Sequence, residues 1–262
     1  MSEGLKSARL KLLRAAKLLR AIKRCISAYG ASEPHKIIAR SKGKKRLSIP
    51  ALPPKEISLI AGEMVYQMRS ALDHLAFEII KLNPRVSAIS PKWDTQCEFP
   101  LRVWLPKNFS PPIVKSEFSR ELPGISDIAF AFIESVQPYY NSGAINNCLR
   151  FLFHLSNIDK HRRMSLVRTR VRRNESIRFS SGLRSRSINT LDHGATIESS
   201  SGWNGADKPL YVNRRFRAFV AFKERRYLGE ATDLPVDYLL KLILDQINLV
   251  IVPAFEKFIK NP

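Results

Sequence analysis

The stretch MRSALDHLAFEIIK, at 68–81, places three side chains capable of chemistry close together in a predicted helix. Arg69 and Asp73 are four residues apart, a spacing that brings two side chains together on one helix face and allows an ion pair. His74 lies on the flank of the apolar stripe of the helix, about 140° around its axis from Arg69. The pattern indicates either an active site completed by a second element or an ion pair beside a buried imidazole.

A second group of polar side chains follows in NNCLRFLFHLSNIDKHRR, at 146–163. Spacings of four, three and four place four of them on one stripe of a helix predicted over 144–160: Arg150, His154, Asn157 and His161. Such side chains can bind an anion, carry a proton or ligate a metal. Asp159 opposes the helix dipole at this end, so we expect it to have a cationic partner. The alternative is a solvated polar face that ends in a salt bridge.

These two groups predict a site shared by two helices. The catalytic hypothesis assigns four residues: Arg69, Asp73, His74 and His161. The substrate-binding hypothesis assigns six: Arg150, His154, Asn157, Asp159, Lys160 and Arg162. A metal site would use one carboxylate and three imidazoles: Asp73, His74, His154 and His161. The non-catalytic hypothesis is a buried polar network in which RSALDH and NIDKHR tie the two helices together.

Cofactor chemistry is not predicted. The sequence has no Walker loop, dinucleotide-binding fingerprint, kinase signature or nucleophile elbow, so we expect no cofactor. Cys25, Cys97 and Cys148 lack the spacing of a zinc site. An odd number of cysteines without a secretory signal favours a reducing cytoplasm.

The charge of the chain points to anionic partners. The net charge is +21, and residues 1–50 hold 14 Lys and Arg against Glu3 and Glu33, a local balance of +12. Such a field attracts nucleic acid or another polyanion, or an anionic membrane surface. Aromatic residues between cations in the predicted strands could stack bases: Tyr211, Phe216, Phe219 and Phe222. We expect no transmembrane segment, because charged and amide residues interrupt the longest apolar run, near the C-terminus.

The periodicity of apolar residues predicts an α+β fold. Helical spacing recurs over 5–29, 55–82, 126–136, 144–160 and 235–260. From 163 to 227, β-branched and aromatic residues alternate with polar ones, which is typical of antiparallel strands. We therefore predict a bundle of four to five helices with an antiparallel sheet inserted before the last helix.

The domain organisation follows from the same reading. Residues 1–50, a basic helix and a short hairpin, are predicted to extend a main unit at 51–262. That unit would contain a helical core at 55–160, the sheet at 163–227 and a final helix at 235–260.

Four ordered motifs resemble those of a large family of uncharacterised bacterial proteins. They are the helix around RSALDHL (69–75), EFP (98–100), QPYY (137–140) and LSNIDKHR (155–162). The resemblance covers roughly 52–167 and implies membership of a group without an established activity.

Arg69 and His74 also form an Arg-x4-His pattern, which resembles the signature of HEPN-domain ribonucleases. That resemblance implies a metal-independent, often dimeric nuclease in which His74 exchanges protons and Arg69 stabilises the charged phosphorane. A homodimer would bring two such motifs together. Ser70 departs from the pattern, which usually has Asn, Asp or His after the arginine.

The function predicted first is a structural or binding module, for a protein partner or nucleic acid, organised by the RSALDH and NIDKHR network. The HEPN-like ribonuclease and the metal-binding bundle are the alternatives.

Overall fold

The computed structural model describes residues 2–32, 53–104, 118, 121–140, 143–161, 222–223, 228 and 234–260, together with the short strands given below. The side chains at 144, 145 and 161, and those of the strands other than 220 and 221, lie outside this description. The chain divides into two compact units. The first comprises Met1–Arg20, Leu59–Met164 and Tyr238–Pro262, and the second comprises Ala21–Ser58 and Ser165–Asp237. Every site contact reported below lies within the first unit.

Helices dominate the described residues. In chain order they are α1 (Glu3–Ala31), α2 (Lys55–Lys81), α3 (Val86–Ile89), α4 (Trp93–Gln96), α5 (Asp127–Ser135), α6 (Ala144–His161), α7 (Val236–Gln246) and α8 (Val252–Lys260). A 3-10 turn occupies Pro138–Tyr140, and a π-helical turn occupies Ile247–Ile251. The five helices predicted from periodicity are confirmed, with ends within two residues of those expected.

Burial of apolar side chains at helical spacing explains α1 and α2. In α1 the hydroxyl of Ser2 accepts the Leu5 N–H at 3.3 Å, which satisfies a backbone donor that a helix start leaves open. The buried stripe of α1 begins with Leu5, Ala8, Leu12 and Ala15. The central helix α2 buries an apolar stripe almost completely: Ile57, Ala61, Met64, Met68, Ala71, Leu75 and Ile79. Each fully buried large side chain contributes about 1.5–3 kcal/mol.

The connection between α2 and α5 is fastened by one side chain and one glycine. Asn83 donates from Nδ2 to the carbonyl oxygen of Gly124 at 2.8 Å. Gly124 has a φ of 69°, in the left-handed region that favours glycine. Glycine here therefore permits the turn that leads into α5, whose start is capped by Ser126 through the Ala129 N–H.

The C-terminal helical run passes through a π-helical turn just before a proline. Pro253 has no N–H, and its ring would clash with the carbonyl of residue 249 in a regular α-helix. The Val252 N–H bonds the Ile247 carbonyl instead, five residues back. The run 236–260 is the one stretch of the described chain that is long and apolar enough to cross a membrane, with 44% of its most apolar window buried in protein. Core helices of soluble proteins pass the same test, so this is weak support for a span.

Short strands complete the described backbone. They are β1 (Lys36–Ala39), β2 (Lys45–Ser48), β3 (Arg168–Arg172), β4 (Thr190–Leu191), β5 (Thr196–Ile197) and β6 (Ala218–Ala221). Backbone pairing is antiparallel, in the orders β1-β2-β5 and β4-β3-β6. Each segment holds two to five residues, and the two groups do not join into one inserted sheet.

The predicted α+β class, with an antiparallel sheet before the last helix, is therefore wrong. Helix accounts for 78% of the residues whose side chains are described, and of the six strands these include only part of β6, with no sheet. The alternating pattern over 163–227 reports only a local preference for extended backbone. The strands described in this stretch hold two to five residues each, which is short for the strands of a continuous sheet. The rest of 163–227 lies outside the described residues.

Candidate functional site

Arg69 lies between two carboxylates. Its Nη2 is 3.6 Å from Asp73 Oδ1 and 3.6 Å from Glu98 Oε2, which confirms the predicted pairing of Arg69 with Asp73. The Arg69 side chain is only 15% exposed, and its buried Nη1 has no hydrogen-bond partner among the described residues. Both separations exceed those of charge-assisted hydrogen bonds, so the guanidinium is held by charge and burial rather than by a bidentate clamp.

Asp73 connects α2 to the EFP segment through a backbone hydrogen bond. The Phe99 N–H donates to Asp73 Oδ1 at 2.9 Å, across 26 residues of sequence. Burial raises the pKa of the Asp73 carboxyl above its ordinary value of 3.8, against the lowering effects of Arg69, this hydrogen bond and Lys160. Burial, together with the nearby Glu98 charge, outweighs these lowering effects on the pKa, so the Asp73 carboxylate holds its position at an energetic cost.

His74 faces a different neighbour. Its Nε2 lies 3.4 Å from the hydroxyl of Ser7 on α1, whereas Arg69 faces Asp73 and Glu98. The two residues of the Arg-x4-His pattern therefore contact different parts of the first unit. Within the described contacts of one chain, no group links them.

Helix α6 approaches α2 through Asp159 and Lys160. A Cβ added at Gly62 would overlap the Asp159 carboxylate, so that side chain lies directly against the glycine backbone of α2. Burial raises the pKa of Asp159 above its ordinary value of 3.8. The Lys160 charge reaches Asp73 and lowers its pKa. NIDKHR therefore contacts α2 at Gly62, and its Lys160 acts on Asp73 of RSALDH through charge.

Replacing Gly62 with alanine tests that approach. Alanine favours a helix interior over glycine by about 1 kcal/mol, so Gly62→Ala at an open site would stabilise the protein. Here the new methyl group displaces the exposed Asp159 carboxylate, so we expect the free energy of unfolding in urea to rise by less than this amount. Asp159→Ala should remove the overlap and restore the expected gain in the double variant. Additive effects of the two changes would contradict the contact.

Gln137 is the most fully bonded polar side chain of the described network. It is completely buried, and its Nε2 donates to the carbonyl oxygens of Pro100 at 3.0 Å and Ile133 at 2.9 Å. Its Oε1 accepts the Arg102 N–H at 2.9 Å. This one side chain of the QPYY motif therefore bonds to the EFP segment at Pro100, to Arg102 just after it, and to the end of α5.

Asn146 and Arg150 extend this bonding to α6. Asn146 is buried and donates from Nδ2 to the carbonyl oxygens of Ser135 at 3.1 Å and Gln137 at 2.9 Å. Arg150 donates from Nη2 to the carbonyl oxygen of Pro138 at 3.1 Å, while its buried Nε has no hydrogen-bond partner in the part of the chain that the structure describes. Arg150, predicted to bind substrate, is thus engaged with the QPYY backbone.

The remaining predicted residues at this end of the site are His154, Asn157, His161 and Arg162. His154 is half-buried, and burial followed by the Arg150 charge lowers its pKa below 6.5. Asn157 is also half-buried. His161 belongs to α6, but its side chain is not described, and Arg162 lies outside the described residues.

Neither a metal cluster nor a reactive thiol supports chemistry at this site. Among described residues, no group of three or more His, Cys, Asp and Glu could hold a metal ion. Cys97 lies near Asp73 and Glu98, and burial raises the pKa of its thiol to about 12. A thiol with that pKa is almost entirely protonated at neutral pH and is a poor nucleophile.

The described site is therefore a chain of side-chain bonds to backbone, with Asp73, Gln137, Asn146 and Arg150 at its nodes. We call these four residues the polar network. Sequence reasoning identified Asp73 and Arg150 but not the two amides. The signal for Gln137 was its place in the QPYY motif, whereas Asn146 had none. Neither a protein-family model nor a curated protein nor a solved structure matches this chain.

Proposed function

We propose that this protein is a non-catalytic binding module for a polyanion, and that the polar network holds its helices in place. The observation that carries the proposal is the Asp73–Phe99 hydrogen bond. The acidic residue most suited to chemistry in RSALDH positions the backbone of EFP, and the QPYY backbone is held in the same way by Asn146 and Arg150.

Charge supports the class of partner. The chain carries +21, and α1 alone contains eight Lys and Arg against Glu3. Two of these cations form ion pairs, Arg9 with Glu256 and Arg14 with Glu63. Lys6, Lys17 and Arg20 are exposed on the same helix. Among the predicted strand aromatics, Phe222 is buried, and the other side chains lie outside the described residues. The exposed cations of α1 are therefore the described groups that support binding of a polyanion.

Binding of labelled single-stranded RNA and of heparin, measured against salt, tests the proposal. We expect the affinity to fall as salt rises, with a log–log slope of about −0.7 for each RNA phosphate that is neutralised. Asp73→Asn should leave the affinity unchanged, whereas Lys6→Gln with Lys17→Gln should weaken it.

Two results would overturn this function. One is the absence of binding to RNA, heparin and anionic vesicles at low salt. The other is metal-independent RNA cleavage that Arg69→Ala and His74→Ala both abolish in folded protein, as the HEPN resemblance implies. Melting curves of both variants would establish that the proteins compared are folded.

A further inference from the structure

Large apolar side chains are exposed on two neighbouring helices of the first unit. Leu10 and Leu13 on α1 are 66% and 60% exposed, and Leu59 and Tyr66 on α2 are 64% and 61% exposed. Single exposed apolar residues are normal on a protein surface and need no explanation. Four large ones on adjacent helices form a patch of the kind that marks an interaction surface.

Contacts between α1 and α2 place these four side chains on one surface. Arg14 Nε donates to Glu63 Oε1 at 3.0 Å, and Lys11 Nζ lies 5.6 Å from the centre of the Tyr66 ring. Arg14 lies four residues after Leu10, and Glu63 lies four residues after Leu59 and three before Tyr66, so each charge neighbours exposed apolar side chains on its own helix. The Arg14–Glu63 pair therefore joins the exposed faces of the two helices.

Cations flank the leucines of α1 on the same stripe. Lys6, Leu10, Leu13 and Lys17 are spaced by four, three and four residues, so one lysine lies beyond each end of the leucine pair. Both lysines are exposed. We call this surface the leucine–lysine face, formed by Lys6, Leu10, Leu13, Lys17, Leu59 and Tyr66.

We propose that the leucine–lysine face docks on the surface of a lipid bilayer that contains anionic headgroups. This inference names the partner of the proposed polyanion-binding function and rests on it. Leucine side chains gain free energy by entering an apolar phase, and lysines beside them reach back to negative headgroups. Each lysine near such a surface adds an attraction that salt screens.

Nucleic acid fits this face less well. Proteins that bind single strands combine cations with aromatic rings, because bases stack on rings. The face offers one ring, Tyr66, against three leucines, which cannot stack on a base. A lipid surface uses all six residues, whereas a nucleic acid would leave the three leucines in water.

Co-sedimentation of the full chain with vesicles tests this inference. The vesicles contain phosphatidylcholine, with or without phosphatidylglycerol. We expect partition into vesicles with phosphatidylglycerol only, and salt should weaken it. Leu10→Ser with Leu13→Ser should lower the partition coefficient by roughly tenfold or more, since each buried leucine contributes substantially to transfer. Ile128→Ser is the matched control, because Ile128 is 75% exposed on α5, and it should leave partition unchanged.

The outcomes separate the two proposals. Vesicle binding that the leucine substitutions leave unaltered, or binding to RNA and heparin without vesicle binding, would overturn the lipid inference while the polyanion function stands. A chain that binds none of these probes would overturn both. The substituted leucines are exposed, so melting temperatures close to the parent value are expected for the variants.

Discussion

Replacing Gln137 with leucine is expected to lower the free energy of unfolding by about 3 kcal/mol or more, the largest single effect predicted for this chain. The side chain is completely buried and makes three hydrogen bonds to backbone groups. Leucine fills a similar volume but leaves two carbonyl oxygens and one N–H without this partner in a place that water does not reach. Urea denaturation followed by circular dichroism measures the loss.

A matched control separates this effect from the general cost of changing a glutamine. Gln67 is half-buried on α2, and Gln67→Leu should change the free energy of unfolding by less than about 0.5 kcal/mol. Equal losses for the two variants would show that Gln137 does not hold the segments around it. Gln137→Glu should also be destabilising, because a carboxylate would face the carbonyl oxygens of Pro100 and Ile133.

Asp73→Ala is expected to cost about 1–3 kcal/mol, since it removes the acceptor of the Phe99 N–H and leaves Arg69 with Glu98 alone. Asp73→Asn keeps an oxygen at the same place and should cost much less. Equal losses for alanine and asparagine would contradict the bonding role of Oδ1 and point to the charge instead.

The pH dependence of Asp73→Asn follows from the raised pKa of Asp73. Because the pKa of Asp73 is raised above 3.8 in the folded chain, the folded chain binds the carboxyl proton more tightly than the unfolded chain does. Stability contributed by Asp73 therefore falls as pH rises from 3.8 through the folded pKa. The asparagine variant lacks this loss, so its stability relative to the parent should increase between pH 3.8 and neutrality. A relative decrease would mean that the folded pKa is lowered.

Sequence periodicity was sufficient for the helices but not for the sheet. The stripes of α1 and α2 repeat over many turns, so a local pattern determines where they begin and end. Strand pairing joins distant segments, and the alternating residues over 163–227 do not specify how far it extends: β3 pairs with β4 over two residues and with β6 over four. The predicted sheet is wrong for that reason, while the described chain is largely helical.

The site was predictable in part for a related reason. Arg69 and Asp73 pair within one helix, and the spacing of four residues determines that contact. Gln137 bonds the Pro100 carbonyl 37 residues away. Every residue has a backbone carbonyl, so the sequence does not indicate which one a distant side chain will bond. Gly62 was also missed, because its role is to leave room for Asp159 on another helix.

Hydrogen exchange at the Phe99 amide tests most directly whether Asp73 of RSALDH has a structural role in holding the EFP backbone. The Tyr139 N–H, which bonds the Arg102 carbonyl at 3.1 Å, serves as an internal reference. We expect the Phe99 amide to be protected from exchange in the parent and in Asp73→Asn. In Asp73→Ala it should lose this protection, while the Tyr139 amide keeps its own. Rapid exchange of the Phe99 amide in the parent, or equal protection in all three proteins, would contradict this structural role.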